Sequence, residues 1–333
     1  MNREELIAAL SPDTDTARLF ALADKVRREN VGDGVHLRGL IEFSNHCSRR
    51  CYYCGIRAVG PARRYRLGAG QILDCARAAV KLKYRTVVLQ SGEDRGRSIG
   101  ELAAIVERVK AETGLAITLS VGERNKEDYK TLRAAGADRF LLRFETSDRR
   151  LYSMLKPDSD FDQRFRCLAW LKEAGFQVGS GVMTGLPGQT RESMADDILL
   201  FKSLELDMVG IGPFISSPET PLGGAENGTL ETALRMVALT RIVTKNAHIP
   251  ATTAMGTLHP QGRQKALNCG ANVLMPNLTP AEYRADYSLY PGKICVDEAP
   301  EKCGGCVDAM LAGLGRERAG DFGDSLKRAD CRV

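Results

Sequence analysis

The 333-residue sequence has no apolar run that approaches the roughly 18 residues of a membrane span, and residues 1–5 lack the apolar core of a signal peptide. We therefore expect a cytoplasmic protein without a membrane partner. Strong charge is also missing, because the formal net charge is only +5. The arginine-rich stretches 49–50 and 63–66 are interpreted as solvated faces, so nucleic acid is not an expected partner.

A short segment contains Cys47, Cys51 and Cys54 in the spacing Cys-x3-Cys-x2-Cys, and no fourth cysteine lies nearby. In a reducing compartment such cysteines favour metal binding over disulfides. Three thiolates can bind three irons of a 4Fe-4S cluster and leave the fourth iron open, as in a catalytic metal centre. The alternative is a zinc knuckle with His46 or His36 as the fourth ligand. It is less favourable because structural zinc sites usually combine two short ligand motifs, and this segment has one.

The cysteine spacing, with Tyr53 before the last cysteine, resembles the signature of radical S-adenosylmethionine (SAM) enzymes. The resemblance implies that the amino and carboxylate groups of SAM chelate the open iron. It also implies that one-electron reduction cleaves SAM to methionine and a 5'-deoxyadenosyl radical. The protein then supplies binding, orientation and exclusion of water.

The rest of the chain alternates between predicted strands and helices. Strict alternation implies parallel strands with right-handed crossovers, and eight such units close a barrel. We predict an α/β fold, a complete (β/α)8 TIM barrel over residues 36–290. Two helices at 4–10 and 16–29 are expected to form an N-terminal cap (1–35), and residues 291–333 to form a C-terminal extension. The predicted strands are 37–45, 86–90, 116–120, 138–143, 177–183, 208–212, 249–253 and 271–275.

Active sites of such barrels lie at the C-terminal ends of the strands, so polar residues there are candidate ligands. Gly92 and Glu93 follow the second strand. A glycine allows close approach of a ligand, and the carboxylate could receive the SAM ammonium group, although a plain turn explains the pair equally well. Thr118 and Ser120 offer hydroxyls at the end of the third strand.

The fourth strand ends with Arg143 and Glu145, which lie on the same side of an extended chain. Because burial of either charge alone is costly, each needs a partner or a charged ligand. A mutual salt bridge is one possibility. The other assigns Glu145 to the SAM ribose or amino group, Arg143 to an anion on the second substrate, and Arg164 to the SAM carboxylate.

Further candidates follow the later strands. Thr252 and Thr253 end the seventh strand, and Met208 and Met275 could line a pocket for a soft, bulky substrate, although core positions are commoner for methionine. A second cysteine group, Cys295, Cys303 and Cys306, predicts an accessory iron-sulfur cluster, either 2Fe-2S or 4Fe-4S. A zinc knuckle or metal-free thiols are the alternatives there.

Several longer segments resemble the HydE family of FeFe-hydrogenase maturases, in the biotin synthase-like branch of the radical SAM superfamily. The resemblance extends from about Val31 to Cys306 and includes the second cysteine group. The segments are Ile-Glu-Phe-Ser-Asn at 41–45, Leu-Gln-Ser-Gly-Glu-Asp at 89–94, Leu-Pro-Gly-Gln-Thr at 186–190, Met-Val-Gly-Ile-Gly-Pro-Phe at 208–214, Pro-Ala-Thr-Thr-Ala-Met-Gly at 250–256 and Tyr-Pro-Gly-Lys-Ile-Cys at 290–295.

This resemblance implies that the radical acts on a small, cysteine-bound iron complex carrying CO and cyanide during assembly of the di-iron subcluster. The implied partners are an electron donor such as a ferredoxin or flavodoxin and the other hydrogenase maturation proteins. Glu145, Arg164 and Ser120 match SAM contacts of the family. The residues that match its central cavity are Arg143, Thr252, Thr253, Met275 and Tyr287.

Two other functions are compatible with the same sequence. A radical SAM enzyme acting on an amino acid, similar to methylornithine synthase, could use the same arginines and barrel cavity. A non-catalytic iron-sulfur carrier would need the three cysteines of the first loop but not Glu93, Glu145 or Arg164.

Overall fold

The structure is a computed structural model that describes residues 1–298 and 300–328, apart from the side chains of 300–303 and 328. Its centre is a parallel sheet with strand order β6-β5-β4-β3-β2-β1-β7. Neighbours in sequence are neighbours in the sheet from β1 to β6, as helical crossovers between parallel strands require. The strands are β1 (His36–Ser44), β2 (Thr86–Ser91), β3 (Ala116–Ser120), β4 (Arg139–Leu141), β5 (Gln177–Thr184), β6 (Met208–Pro213) and β7 (Val273–Leu274).

Helices pack around this sheet. They are α1 (Arg3–Ala9), α2 (Thr16–Val31), α3 (Ala69–Lys81), α4 (Ile99–Thr113), α5 (Lys126–Ala134), α6 (Arg149–Leu155), α7 (Phe161–Glu173), α8 (Arg191–Ser203), α9 (Leu230–Thr244), α10 (Thr253–Leu258), α11 (Gly262–Leu267), α12 (Ala281–Arg284) and α13 (Pro300–Gly313).

Helix α4 illustrates how the sequence specifies these elements. Ser98 accepts a hydrogen bond from the backbone N–H of Glu101, and the Glu101 side chain accepts from the Ser98 N–H, which forms a capping box. Leu102 and Val106 recur at helical spacing and are buried. The helix ends at Gly114, which has a φ of 65°, a left-handed conformation that glycine adopts without strain.

The sheet curls so that one face surrounds an interior. Arg38 on β1 donates a 2.7 Å hydrogen bond to the sulfur of Met208 on β6, although four strands lie between them in the sheet order. The registers place Glu42, Gln90 and Ser120 side by side, and lateral neighbours in a sheet point to the same face. We call the space that this face encloses the lumen.

The sheet has seven strands where the sequence predicted eight. The predicted strand 249–253 is absent, and its neighbourhood makes only isolated bridges, from His248 to Met208 and from Pro250 to Val273. Pro250 has no N–H to donate to a ladder, and Thr253 already begins α10. The next predicted strand, 271–275, contracts to β7.

The two N-terminal helices, which were predicted to cap one end of the barrel, pack against other helices. Helix α1 packs against α8 and α9, and α2 packs against α9, so both extend the outer helical layer. The apolar faces of α1 and α2, which include the buried Leu6, Leu19 and Ala23, form this contact.

The C-terminal segment closes the N-terminal end of the lumen. Asp324 accepts hydrogen bonds from Arg139, at the start of β4, and from Gln177, at the start of β5, at 2.6 and 2.7 Å. The backbone carbonyl of Phe322 accepts from Arg139 and from Thr86. We call residues 316–327 the base plug, because they cover the strand ends opposite the cysteine loop.

Candidate active site

The three predicted cluster ligands lie in the loop that follows β1. Cys51 is buried, and Cys47 and Cys54 are half-buried. Burial raises the pKa of each thiol, and for Cys54 the neighbouring thiols Cys51 and Cys47 raise it further. A thiolate is therefore unfavourable here without a compensating positive charge, which a bound iron cluster supplies.

Among the side chains that the structure describes, no group of three His, Cys, Asp or Glu residues is arranged to hold one metal ion. A 4Fe-4S cluster binds each cysteine through a different iron, so its ligands need not converge on one point. His36 is excluded as a partner of the cysteines. It begins the nine-residue strand β1, roughly 26 Å from the strand's far end, and contacts Asp321 of the base plug at 3.3 Å.

Gly92 allows the cysteine loop to pass over the end of β2. A Cβ at this position would lie 2.4 Å from the carbonyl oxygen of His46 and 2.7 Å from Cβ of Cys47. The close approach that the glycine was predicted to permit is thus made by the cysteine loop itself. The Glu93 backbone adds a contact, because its carbonyl accepts a 3.0 Å hydrogen bond from the Ser48 N–H.

Glu93 belongs to a group of four charged side chains, which we call the charge ring. Arg49 contacts Glu93 and Glu123 at 2.6 Å each. Arg164 contacts Glu93 at 3.2 Å and Glu123 at 2.8 Å. Burial would raise the pKa of Glu93, but the guanidinium groups of Arg164 and Arg49 hold it below its usual value.

Sequence analysis selected Glu93 and Arg164 but missed Arg49 and Glu123. The arginine pair at 49–50 was interpreted as a solvated face, yet the Arg49 side chain is only 18% exposed whereas Arg50 is 59% exposed. No spacing signal separates the two, because Arg49 and Arg50 both lie between Cys47 and Cys51.

Arg143 and Glu145 form the mutual salt bridge that the sequence left open, with Nη2 and Oε2 2.9 Å apart. Glu145 has a φ of +70°, an unfavourable conformation for a residue with a side chain. Its backbone is held there by hydrogen bonds from its N–H to Gly181 O and from Met183 N–H to its carbonyl. Arg143 also donates to Val182 O at 2.6 Å.

Several buried polar atoms along the lumen lack a hydrogen-bond partner among the described residues. They include Thr118 Oγ1, Arg143 Nε and Thr252 Oγ1, and Glu145 Oε2 accepts no hydrogen bond of acceptable geometry. Buried polar groups in native proteins are nearly always satisfied. The unpaired donors and acceptors therefore fit a polar ligand that lies in the lumen.

Other predicted residues are distributed unevenly around this space. Ser120, Thr252, Thr253 and Met275 are partly exposed, and Tyr287 is buried. Met208 was predicted to contact substrate, but it begins β6 near the base plug, at the end of the lumen opposite the cysteine loop. Its sulfur accepts a hydrogen bond from the buried Arg38. Tyr53 packs beside an apolar cluster of Leu151, Leu155, Leu186 and Phe214.

The accessory cysteine group is only partly visible. Cys295 is half-buried, Cys306 is exposed, and the side chain of Cys303 lies outside the described residues. Lys293 anchors this segment to the mouth of the lumen through a 2.5 Å ion pair with the buried Glu42.

Comparisons with known proteins support the radical SAM interpretation. Residues 41–201 match the radical SAM superfamily. The chain is 50% identical over 306 residues to the [FeFe] hydrogenase maturase subunit HydE of Thermotoga maritima, covering 92% of this chain and 88% of that protein. It is 28% identical over 286 residues to 3-methylornithine synthase of Methanosarcina acetivorans, covering 84% of this chain and 81% of that protein.

A solved structure agrees with these relatives. The crystal structure of methylornithine synthase (PylB) superposes with a TM-score of 0.83 at 26% identity, covering 96% of this chain and 94% of that one. No helix in the described part of the chain combines the length and apolarity of a membrane crossing. The extent and level of identity to the Thermotoga protein establish that this chain belongs to the HydE family of radical SAM enzymes.

Proposed function

We propose that this protein is an FeFe-hydrogenase maturase that acts on a small, cysteine-bound iron complex carrying CO and cyanide during assembly of the di-iron subcluster. Bound SAM, reduced through a 4Fe-4S cluster, would supply a 5'-deoxyadenosyl radical for this reaction. The observation that carries the proposal is the set of unpartnered polar atoms in a lumen whose mouth lies beside the cysteine loop.

The cluster would be held by Cys47, Cys51 and Cys54. Their thiols have raised pKa values because of burial, so binding to iron is what makes the thiolates favourable. Tyr53 would stay packed against its apolar neighbours and so hold the adjacent Cys54 in position.

SAM would be bound between the cysteine loop and the strand ends. Glu145 Oε2 is in an ion pair with Arg143 but accepts no hydrogen bond of acceptable geometry, so it can accept one from a ribose hydroxyl or an ammonium group. Arg164 suits the SAM carboxylate. Gly92, Glu93 and Ser120 complete the proposed contacts.

The second substrate would lie deeper in the lumen, among Thr118, Arg143, Thr252, Met275 and Tyr287, with Thr253 at the rim. Arg143 keeps one unpaired N–H, which can bind an anionic group of the substrate. The base plug closes the opposite end of the lumen, so the substrate and water would enter only from the mouth. Such enclosure protects a reactive intermediate from side reactions.

We also infer that the bridges of residues 248–251 to β6 and β7 close the sheet into a complete barrel. The same proposal includes an electron donor such as a ferredoxin or flavodoxin, an accessory cluster on the second cysteine group, and action in the cytoplasm with the other maturation proteins.

The test uses anaerobically reconstituted, reduced protein with SAM and a synthetic cysteine-bound iron complex carrying CO and cyanide. We expect the adenosyl group of SAM to become covalently attached to a species derived from that complex. Mass spectrometry detects this adduct. Replacement of Glu93, Glu145 and Arg164 together should abolish this product. If the triple variant still activates apo-hydrogenase as well as the native protein, the chain is an iron-sulfur carrier instead.

A second candidate is a radical SAM enzyme that acts on an amino acid. The match to the methylornithine synthase structure over nearly the whole chain favours it, and Arg143 could bind an amino-acid carboxylate. If SAM cleavage is stimulated by an amino acid and not by the iron complex, this candidate replaces the maturase.

A further inference from the structure

The charge ring joins four separate parts of the chain. Arg49 lies between the first two cluster cysteines, Glu93 follows β2, Glu123 follows β3, and Arg164 is on α7. Each carboxylate contacts both guanidinium groups, so the four contacts close a cycle. The cycle contains two positive and two negative charges.

The contacts within the ring are unequal. Arg49 holds both carboxylates at 2.6 Å. Arg164 contacts Glu93 at 3.2 Å and approaches Glu123 at 2.8 Å, where Oε1 accepts no hydrogen bond of acceptable geometry. If Arg164 turned toward an anionic ligand, Arg49 would still contact both carboxylates, which are 8% and 5% exposed.

Arg49 also fixes the loop that carries it. Its Nη1 donates a 2.6 Å hydrogen bond to the carbonyl of Asp158, just before α7, while the neighbouring Ser48 N–H donates to the Glu93 carbonyl. A planar guanidinium with several donors can make three such contacts at once, whereas a lysine ammonium cannot match this geometry.

We propose that Arg49 is a positioning residue, with Glu123 as its counter-ion, that couples the cysteine loop to the amino-acid end of bound SAM. The balanced ring suits a zwitterionic α-amino acid group, which adds one positive and one negative charge. Because Arg49 contacts both carboxylates, Arg164 can turn to bind the ligand carboxylate. Arg49 also holds the cysteine loop in a fixed position relative to the bound ligand. This inference rests on the proposed SAM binding.

The test compares four variants of the reconstituted protein with the native protein: Arg49→Gln, Arg49→Lys, the double variant Arg49→Gln/Glu123→Gln, and Arg50→Gln. The probe is SAM itself. The readouts are iron content, the dissociation constant for SAM, and the change that SAM produces in the electron paramagnetic resonance spectrum of the reduced cluster.

We expect Arg49→Gln to weaken SAM binding at least tenfold and to diminish the SAM-dependent spectral change. The double variant should recover part of both, because it restores the charge balance of the ring but not the hydrogen bond from Arg49 to the Asp158 carbonyl. Arg49→Lys should show a SAM affinity and a spectral change between those of Arg49→Gln and the native protein. Arg50→Gln is the matched control, since Arg50 is adjacent but exposed, and it should behave like the native protein.

Native SAM binding and an unchanged spectral response in Arg49→Gln would overturn the inference. The inference would also be overturned if the double variant bound SAM no better than Arg49→Gln. If Arg49→Gln fails to assemble a cluster, the same comparison is made on iron content. A native protein whose cluster does not respond to SAM would instead overturn the proposed function.

Discussion

Asp197 on α8 accepts a 2.6 Å hydrogen bond from the backbone N–H of Ser147, two residues after Glu145. Asp197 is fully buried, and its second oxygen, Oδ2, has no hydrogen-bond partner among the described residues. Burial raises the pKa of this carboxyl to about 7. The turn that holds Glu145 in its left-handed conformation thus depends on a carboxyl group that titrates near neutral pH.

The first prediction concerns the pH dependence of stability. Because the folded-state pKa of Asp197 is raised, its protonated form favours folding at low pH, and stability is lost as pH rises from about 4 through 7. Asp197→Asn keeps an acceptor for Ser147 without the charge. We expect the gain of this variant over the native protein to be smaller at pH 5 than at pH 8, where it is about 4 kcal/mol at most.

Denaturant unfolding at pH 5 and pH 8 measures this difference. Asp196→Asn serves as the control, because Asp196 is adjacent, 44% exposed and paired with Arg3 at the surface. A gain in Asp197→Asn that has the same size at both pH values would contradict the assignment of the effect to the Asp197 carboxyl.

The sequence predicted the elements that have a strong local pattern. The strands at 86–90, 116–120 and 208–212 occur within one residue of the predicted bounds at each end, and the cysteine motif lies at the end of β1 as expected. Alternation of buried strands with amphipathic helices reveals such units directly. Pro250 is the exception, since its missing N–H prevents a regular ladder in an otherwise strand-like run.

The contacts between distant polar residues could not be predicted in the same way. Asp324 lies 185 residues from Arg139, and neither has a spacing that marks the other as its partner. The amphipathic pattern of α2 showed that one face is buried but not that α9 covers it. For the same reason Arg49 and Glu123 were missed, because a salt bridge across two strand ends leaves no periodic signal.

The base plug leads to the second prediction. Arg139 has no solvent exposure, and its guanidinium contacts the Asp324 carboxylate at 2.6 Å. Asp324→Ala should therefore destabilise the protein by about 3 kcal/mol, since it removes a carboxylate that contacts a buried guanidinium. Glu317→Gln, an exposed site in the same segment, should change stability by less than about 0.5 kcal/mol. Urea unfolding distinguishes the two, and equal effects would refute a specific role for the plug.

The third prediction separates Glu145 from Arg143. Under the proposed function Glu145 contacts SAM, whereas Arg143 contacts the second substrate. Glu145→Gln should weaken SAM binding by about tenfold or more, equivalent to about 1.4 kcal/mol. Arg143→Gln should leave the SAM dissociation constant within about threefold of the native value, or about 0.6 kcal/mol, and abolish product formation. Equilibrium binding of SAM to the reconstituted protein checks both, and equal losses would show that the 2.9 Å salt bridge acts as one unit.

The last prediction concerns the attachment of the accessory cysteine segment. Lys293 reaches Glu42, which is 1% exposed and also accepts a hydrogen bond from Asn277 at 2.9 Å. Lys293→Met leaves the Glu42 carboxylate buried without its cation and should cost about 3–5 kcal/mol of stability. Lys293→Met/Glu42→Gln removes the charge as well and should recover most of that loss.

Urea unfolding of both variants at neutral pH measures this recovery. Asp297→Asn is the matched control, because Asp297 is exposed in the same segment and the ion pair stays intact. If the double variant were as unstable as the single one, Lys293 would stabilise the segment through its packing against the Tyr287 ring, 5.2 Å away, rather than through Glu42. Recovery would show that a charge pair between β1 and residue 293 holds the cysteine segment at the mouth of the lumen.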